Sequence, residues 1–414
     1  MKLQYQVIIV GGGPAGMMAA IRAAERNFSV LLIEKNDQLG RKLLITGHGK
    51  CNFTHTGDLN YFLSQYVPNG KVLREALTTF SNDDLIQYFK KSDIPSYTDE
   101  GGRFFPKTDS AQSLLDVLRR AIQKLKIKVL FSTQVIELMV KNQKIYGVRL
   151  NEGTEILGDH VVISTGGRSY PATGSSGDGY HLARSMGHTV SDAKPALVSF
   201  KLLGNIPALL EGISLPDIVL KFRMDKKFWQ ERGAIIFTAK GISGPAVLNL
   251  SLVTTDYFPS ANPIFLHMDL VPNSTEELLN VELTNIFLTH GKAQIKTVLA
   301  EYVPMRLCEE FLRSLNIDPL QKTAQVTKKQ KFLIVEKLKD WPFQILAMGP
   351  WTNAMITKGG IFEKEIDFRT GQSKLVNGLY FAGEVIGVCG KTGGFNLQMA
   401  FSTGYLVGEK IVSF

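Results

Sequence analysis

A glycine-rich run near the start of the chain has the spacing of a dinucleotide-binding turn. Gly11, Gly13 and Gly16 form a GxGxxG pattern between an apolar run, residues 5–10, and a stretch of small and apolar residues, 15–27. In such a turn the first glycine permits a tight bend, the second lets the backbone approach a pyrophosphate, and the third lets the helix pack close to the strand. The helix also offers unpaired N–H groups to the anion. The pattern therefore predicts dinucleotide binding.

An acidic residue follows at the distance that this kind of site needs. Glu34 closes a second predicted strand, residues 29–33, about 18 residues after Gly16. A carboxylate there can accept hydrogen bonds from an adenosine ribose. Because FAD and NAD both carry that ribose, Glu34 leaves the choice between them open.

A second glycine turn, near the end of the chain, favours FAD. Residues 378–384 form a predicted strand that ends in Gly383-Glu384, and residues 391–400 form a glycine turn that opens a helix. Such a turn can place N–H groups and a helix dipole against the electron-rich pyrimidine edge of a reduced flavin, which an enzyme that binds only NAD does not need. Two alternatives stay open here: Glu384 as a cap residue, and Asn396 as an N-cap residue.

The order of the predicted elements indicates an α/β fold that is interrupted by an insert. The first strand, helix and strand form a βαβ unit, and helical patterns follow at 72–91 and 111–126. After about residue 190 the alternation of predicted strands and helices stops. Glycine-rich segments like those near the start of the chain return only in its last part. We therefore predict a discontinuous Rossmann-like domain from residues 1–191 and 343–414. Residues 192–342 form the predicted inserted domain, β-rich in its first part and helical in its second.

Composition excludes several classes of protein. Three cysteines without a CxxC pair exclude a disulfide framework, a zinc cluster and a dithiol centre, and they favour a reducing, cytoplasmic setting. No apolar run reaches the length of a membrane span. The net charge of +9 attracts anions, but the densest basic stretch, residues 328–331, is typical of a solvated helix face. We therefore expect no membrane partner and no nucleic-acid partner, and the sequence leaves the oligomeric state open.

Three further motifs have structural interpretations. Residues 241–245 lack the GxSxG spacing of a nucleophile elbow, so we reject a serine hydrolase. Gly177-Asp178-Gly179 is interpreted as a glycine turn that Asp178 caps before a helix. Cys51 has no second cysteine near it in the sequence, so we expect it to pack in the core.

Motifs along most of the chain resemble the motifs of a single flavoprotein family. They are the N-terminal glycine motif and residues 40–42, 46–52, 102–106, 164–167, 177–180, 237–238, 241–245, 383–384 and 392–398. Together they resemble the BaiN-like dehydro-bile-acid reductases and the aminoacetone-oxidase-like FAD enzymes. The resemblance implies an α/β fold in which both chain ends form the FAD-binding domain around a β-barrel-like plus helical insert.

The same resemblance implies a set of cofactor-binding residues. Gly11, Gly13, Pro14, Ala15 and Gly16 would hold the pyrophosphate. Glu34 would bind the ribose, Lys35 and Arg41 would lie near adenosine or phosphate groups, and Val135 would lie beside the adenine. Thr165 and Gly166 would lie near the phosphates, and the ribityl or ring side would be lined by Lys42, Thr46 and Asn52. The flavin cradle would be completed by Gly383, Glu384, Gly394 and Asn396.

The function that follows is hydride transfer by an FAD-dependent oxidoreductase. The preferred hypothesis is a reductase of an activated C=C bond in a small organic substrate, with NADH or NADPH visiting the flavin transiently because no second GxGxxG unit is present. An amine oxidase that forms peroxide is the second hypothesis. The third, motivated by the charge of +9, is a non-catalytic flavoprotein that binds RNA or another anionic partner. A proton donor or acceptor is also needed, and His48, Arg103, Tyr170 and Lys391 are unassigned candidates.

Overall fold

The computed structural model describes residues 4–412. The chain divides into two compact units, the first formed by Met1–Pro195 with Trp351–Phe414 and the second by Ala196–Pro350. The predicted end of the insert, at residue 342, falls inside a strand, Trp341–Met348, that belongs to the second unit. The sequence pattern changes where the preceding helix ends, whereas the unit ends only after this strand has completed its sheet.

The first segment of the chain alternates strands with helices. The helical pattern predicted over 72–91 forms two α-helices, because Ser81 starts a new helix with a capping box that includes Asp84. The strands are β1 (Gln4–Val10), β2 (Val30–Ile33), β3 (Thr54–His55), β4 (Tyr66–Val67), β5 (Ser96–Thr98), β6 (Arg103–Pro106), β7 (Lys128–Leu130), β8 (Val135–Lys141), β9 (Lys144–Leu150), β10 (Glu155–Ile163) and β11 (Lys194–Ala196). The helices are α1 (Pro14–Glu25), α2 (Arg41–Leu44), α3 (Leu59–Ser64), α4 (Arg74–Thr79), α5 (Asn82–Lys90), α6 (Ala111–Lys124) and α7 (Asp178–Ser185).

The second unit is a closed β-barrel with helices. Its strands are β12 (Phe200–Leu202), β13 (Ser214–Met224), β14 (Lys227–Thr238), β15 (Gly241–Ser243), β16 (Ile264–Asp269) and β17 (Trp341–Met348), and its helices are α8 (Ile206–Leu209), α9 (Pro245–Thr254), α10 (Glu276–Thr289), α11 (Ile295–Leu299), α12 (Met305–Arg313) and α13 (Lys328–Lys339). The barrel closes in the order β12-β15-β14-β13-β16-β17. Barrel and helices share one apolar core, in which Phe311 packs edge-on against Trp341. The β-barrel-like plus helical insert is thus confirmed.

The last segment returns to the first unit and completes its sheet. It contains β18 (Ile356–Lys358), β19 (Ile366–Asp367), β20 (Gln372–Ser373), β21 (Leu379–Phe381), β22 (Cys389–Gly390) and α14 (Phe395–Lys410). The parallel strands lie in the order β21-β10-β1-β2-β7, so the C-terminal strand pairs beside the N-terminal ones. Strands β1 and β2 end in buried apolar runs, as expected for parallel strands that are covered on both faces. The predicted α/β fold class is confirmed.

Helices α1 and α14 approach each other closely because glycines face the contact. A Cβ on Gly404 would lie 2.2 Å from the Ala15 carbonyl oxygen, and one on Gly408 would lie 2.7 Å from that of Ala19. Such distances exclude any larger side chain without a shift of backbone. The contact fixes α1 and α14 together, and with them the two glycine turns that precede these helices.

Candidate functional site: a dinucleotide cleft

The turn between β1 and α1 is built from the glycines of the GxGxxG pattern. Gly11 has a φ of 105°, a left-handed conformation that favours glycine. A Cβ on Gly16 would lie 1.9 Å from the Gly11 carbonyl oxygen, whereas a Cβ on Gly13 would meet no atom within 4 Å. Gly16 therefore serves the packing of the helix on the strand, and Gly13 faces open space.

The amino end of α1 is suited to bind an anion. Gly13 is its N-cap residue, and no side chain caps the helix. Pro14, which has no N–H group to leave unpaired, begins the first turn. The remaining N–H groups of that turn carry the partial positive charge of the helix terminus and can bind a phosphate in the space in front of Gly13.

Glu34 is held at the end of β2 by backbone and side-chain donors. It is 7% exposed. Its Oε2 accepts a hydrogen bond from the Gly12 N–H at 2.7 Å, and its Oε1 accepts from the Asn36 N–H at 2.8 Å and from the Asn36 side-chain amide at 2.6 Å. Oε1 therefore has both lone pairs occupied, whereas Oε2 keeps a further lone pair. Glu34 is therefore a fixed acceptor that ribose hydroxyls can reach.

One cleft in the first unit brings most of the predicted cofactor residues together. Its lining runs from the turn between β1 and α1, past Glu34 and Val135, to the first turn of α14, an extended course that suits a dinucleotide. Thr165 lines it, and the Oγ1 of this side chain is buried with no hydrogen-bond partner among residues 4–412. The predicted residues that line the cleft are Gly11, Gly13, Pro14, Ala15, Glu34, Lys35, Arg41, Lys42, Thr46, Val135, Thr165, Gly166, Gly383, Glu384 and Asn396.

Three predicted residues, Gly16, Asn52 and Gly394, are not among the residues that line the cleft. With its amide oriented to satisfy both neighbours, Asn52 donates to the Thr54 carbonyl at 2.9 Å and accepts from the Gly394 N–H at 3.1 Å. Gly394 has a φ of 96°, and a Cβ on it would lie 2.5 Å from the Thr54 carbonyl oxygen. Asn52 and Gly394 therefore shape the turn before α14.

Asn396 fixes the same turn from within it. Its side chain accepts from the Gly390 N–H at 2.8 Å and donates to the Gly390 carbonyl at 2.8 Å and to the Lys391 carbonyl at 3.2 Å. The N-cap residue of α14 is Gly394, so the alternative of Asn396 as N-cap is wrong. Gly394 has no side chain to cap α14, and N–H groups of the first turn can meet an electron-rich group at this end of the cleft.

Both lysines of the cleft have their charges paired with carboxylates. Lys35 Nζ lies 2.7 Å from Asp178, and Lys42 Nζ lies 2.6 Å from Glu384. Burial acts to raise the pKa of Glu384, but Lys42 and hydrogen bonds from Thr357 hold this pKa below its usual value. Burial also opposes the ionisation of Asp178, and Lys35 with Ser176 lowers its pKa nevertheless. The two lysines therefore act within ion pairs rather than as free phosphate ligands.

The ion pairs correct two sequence-based interpretations. Gly177, not Asp178, is the N-cap residue of α7, and Asp178 makes no capping hydrogen bond. Glu384 is not a cap either, because its Oε1 accepts from the Thr357 N–H at 2.7 Å. The Gly-Asp-Gly signal was visible in the sequence, but its pairing with Lys35 depends on a contact between residues that are distant along the chain.

The side chains considered for proton transfer lie outside this cleft. His48, Arg103, Tyr170 and Lys391 are not among its lining residues. Burial raises the pKa of the Cys51 thiol to about 12, and all three cysteines are buried and free, so Cys51 is a packing residue. Within residues 4–412 no group of three or more His, Cys, Asp or Glu side chains could hold a metal ion.

One family model and several known enzymes are similar to this chain. The model described as HI0933-like protein Rossmann domain matches residues 5–410. The ribosomal RNA dihydrouridine synthase of Escherichia coli (strain K12) is 30% identical over 414 residues, which cover 99% of this chain and 98% of that protein. Its namesake from Haemophilus influenzae is 30% identical over 403 residues, 96% of each chain. The 3-dehydro-bile acid delta(4,6)-reductase of Clostridium scindens is 28% identical over 408 residues, 97% of each chain.

A solved structure shares the fold at low sequence identity. The 3-ketosteroid-delta4-(5alpha)-dehydrogenase from Rhodococcus jostii RHA1 matches with a TM-score of 0.55 and 14% identity, over 98% of this chain and 96% of that one. None of the helices formed by residues 4–412 has the length and apolar character required to cross a membrane.

Proposed function

We propose that this chain, which belongs to the HI0933-like Rossmann family, is an FAD-dependent reductase whose substrate is a uracil base in ribosomal RNA. The membership confirms the resemblance to FAD-dependent flavoproteins that the motifs indicated. One observation carries the choice of substrate: two relatives named ribosomal RNA dihydrouridine synthase are 30% identical to this chain over nearly the whole length of both partners. The small-molecule substrate that the sequence led us to expect stays as the second candidate.

The names of these relatives describe one kind of reaction, the reduction of a C=C bond. Dihydrouridine is uridine with a saturated C5–C6 bond, and a delta(4,6)-reductase of a 3-dehydro bile acid saturates double bonds conjugated to a carbonyl. Both products therefore arise when a hydride and a proton add across an activated C=C bond. With NADPH as the reductant, the net reaction consumes one NADPH and one proton for each saturated bond and releases NADP⁺.

The residues of the cleft fit FAD. Open space in front of Gly13 and the uncapped end of α1 suit the pyrophosphate, and the fixed carboxylate of Glu34 suits the adenosine ribose. The uncapped end of α14 supplies N–H groups for the pyrimidine edge of the flavin. When bound, FAD would supply the two-electron chemistry that connects a nicotinamide with the double bond.

Charge supports a polyanionic substrate. The chain carries a net charge of +9, and a positive field raises both the affinity and the rate of encounter with RNA. The bile-acid reductase, at 28% identity, favours a second candidate, a small conjugated ketone. The two candidates differ in whether the substrate is a macromolecule, so one experiment separates them.

The test uses the purified yellow protein under anaerobic conditions with NADPH or NADH. One arm contains ribosomal RNA transcribed in vitro, and the other contains a steroid dienone. We expect nucleosides from the RNA arm to include uridine that has gained two hydrogen atoms, and we expect no such product without a nicotinamide. Reduction of the dienone with unreacted RNA would replace the RNA proposal by the second candidate.

A further inference from the structure

A second cleft in the first unit is lined by cationic side chains. It encloses about 770 Å³ with its open mouth. Arg168 precedes the loop that leads to α7, and His181 and Arg184 lie on α7 itself. Tyr180 and Asp192 also line this cleft. Nothing in the dinucleotide site described above uses these five residues.

The two clefts lie on different faces of α7. Asp178 and Leu182 line the dinucleotide cleft, whereas Tyr180, His181 and Arg184 line the second cleft. At 3.6 residues per turn the first two side chains share one face of the helix and the other three share another. A group bound in the second cleft is therefore separated from the dinucleotide cleft by one helix, about 10 Å across with its side chains.

The cations of the second cleft outnumber its carboxylates. Arg168 and Arg184 are exposed, and neither forms an ion pair with any residue in the range 4–412. The Arg168 guanidinium lies 5.3 Å from the centre of the Trp351 ring, a contact that restrains its orientation. Asp192 is the carboxylate among the lining residues. With two guanidinium groups and one carboxylate, the cleft has an excess of positive charge even while His181 is neutral.

We propose that this cleft binds a phosphate group, with Arg168 and Arg184 pairing with its oxygens. Guanidinium groups match phosphate geometry with two parallel hydrogen bonds. The identity of the molecule that carries this phosphate rests on the proposed function. An RNA strand would place a backbone phosphate here while a nearby base enters the dinucleotide cleft, and a phosphate of the nicotinamide nucleotide is the other source.

The test compares Arg168→Ala and Arg184→Ala with a matched control, Arg120→Ala. Arg120 is an exposed arginine on α6 that lines neither cleft, so the control removes the same charge elsewhere. A fluorescent fragment of ribosomal RNA is titrated at several salt concentrations, and the KM for NADPH and NADH is measured by anaerobic bleaching of the flavin. Flavin content and thermal unfolding confirm that each variant is folded.

For RNA as the source, we expect Arg184→Ala to weaken RNA binding about tenfold and to lower the salt slope by about one, because one phosphate contact is lost. Arg168→Ala should weaken RNA binding and lower the salt slope in the same way, and Arg120→Ala should stay within about twofold of the wild type. If Arg184→Ala instead raises the KM for NADPH or NADH and leaves RNA binding intact, the phosphate belongs to the nicotinamide nucleotide. Arg184→Ala and Arg120→Ala with equal effects in both assays would overturn the phosphate site, and wild-type reduction of ribosomal RNA would still uphold the proposed function.

Discussion

Replacing Gly13 with valine separates cofactor binding from folding. Gly13 has a φ of −78° and a ψ of −177°, an extended conformation that valine adopts, and a Cβ there meets no atom within 4 Å. We expect the apoprotein to unfold within about 1 kcal/mol of the wild type, because the poorer N-cap and the stiffer unfolded chain act in opposite directions. The valine side chain would occupy the space meant for the pyrophosphate. A steric cost of about 1–3 kcal/mol weakens FAD binding roughly 5- to 150-fold.

The assay is a titration of each apoprotein with FAD, followed by quenching of the flavin fluorescence, together with thermal unfolding of the apoproteins. Gly16→Ala is the matched control, because its Cβ would lie 1.9 Å from the Gly11 carbonyl oxygen. We expect this control to destabilise the apoprotein, unlike Gly13→Val. Wild-type FAD affinity in Gly13→Val would refute the role given to the open space. Equal destabilisation of both variants would refute the structural distinction between the two glycines.

Three other substitutions test separate parts of the site. Glu34→Ala should weaken FAD binding in the same titration, because it removes the fixed ribose acceptor, and unchanged affinity would contradict that role. Lys42→Met leaves Glu384 without its cation, and we expect a loss of up to about 3 kcal/mol in the free energy of unfolding at neutral pH, measured by denaturant. The pKa of Glu384 is lowered in the folded protein, so the ion pair stabilises the fold above the pKa of the unfolded state and stops doing so as the pH falls through the pKa of the folded state. The difference in unfolding free energy between Lys42→Met and wild type should therefore shrink in acid. A difference that stays constant with pH would contradict the pairing. Gly404→Val should lower the thermal stability, since its Cβ would lie 2.2 Å from the Ala15 carbonyl oxygen, and an unchanged melting temperature would show that α1 and α14 can separate.

Local patterns predicted the parts of the site that depend on local structure. A buried apolar run, glycines at fixed spacing and an acid after the next strand determine the β1-turn-α1 unit, because each feature acts within a few residues of the others. Glu34 and Gly13 accordingly line the cleft, and their contacts with a cofactor stay a prediction. The glycine turn before α14 was equally visible in the sequence.

Contacts between distant residues could not be predicted in the same way. Lys35 pairs with Asp178, 143 positions away, and neither residue type nor spacing indicates which cation meets which carboxylate. Asn52 lies in a motif of the resembling family, yet its amide supports the turn at Gly394 instead of lining the cleft. The end of the insert was missed for a similar reason, since a strand that closes a barrel is defined by its partners.

The most direct test of the proposed reductase is an anaerobic titration of the purified flavoprotein with NADPH and then NADH, followed by addition of ribosomal RNA transcribed in vitro. The visible absorbance of the flavin reports each step. We predict that a nicotinamide bleaches the flavin and that the RNA restores its colour as uridine becomes dihydrouridine. A flavin that neither nicotinamide bleaches, or one whose colour returns only with oxygen, would contradict the proposed function.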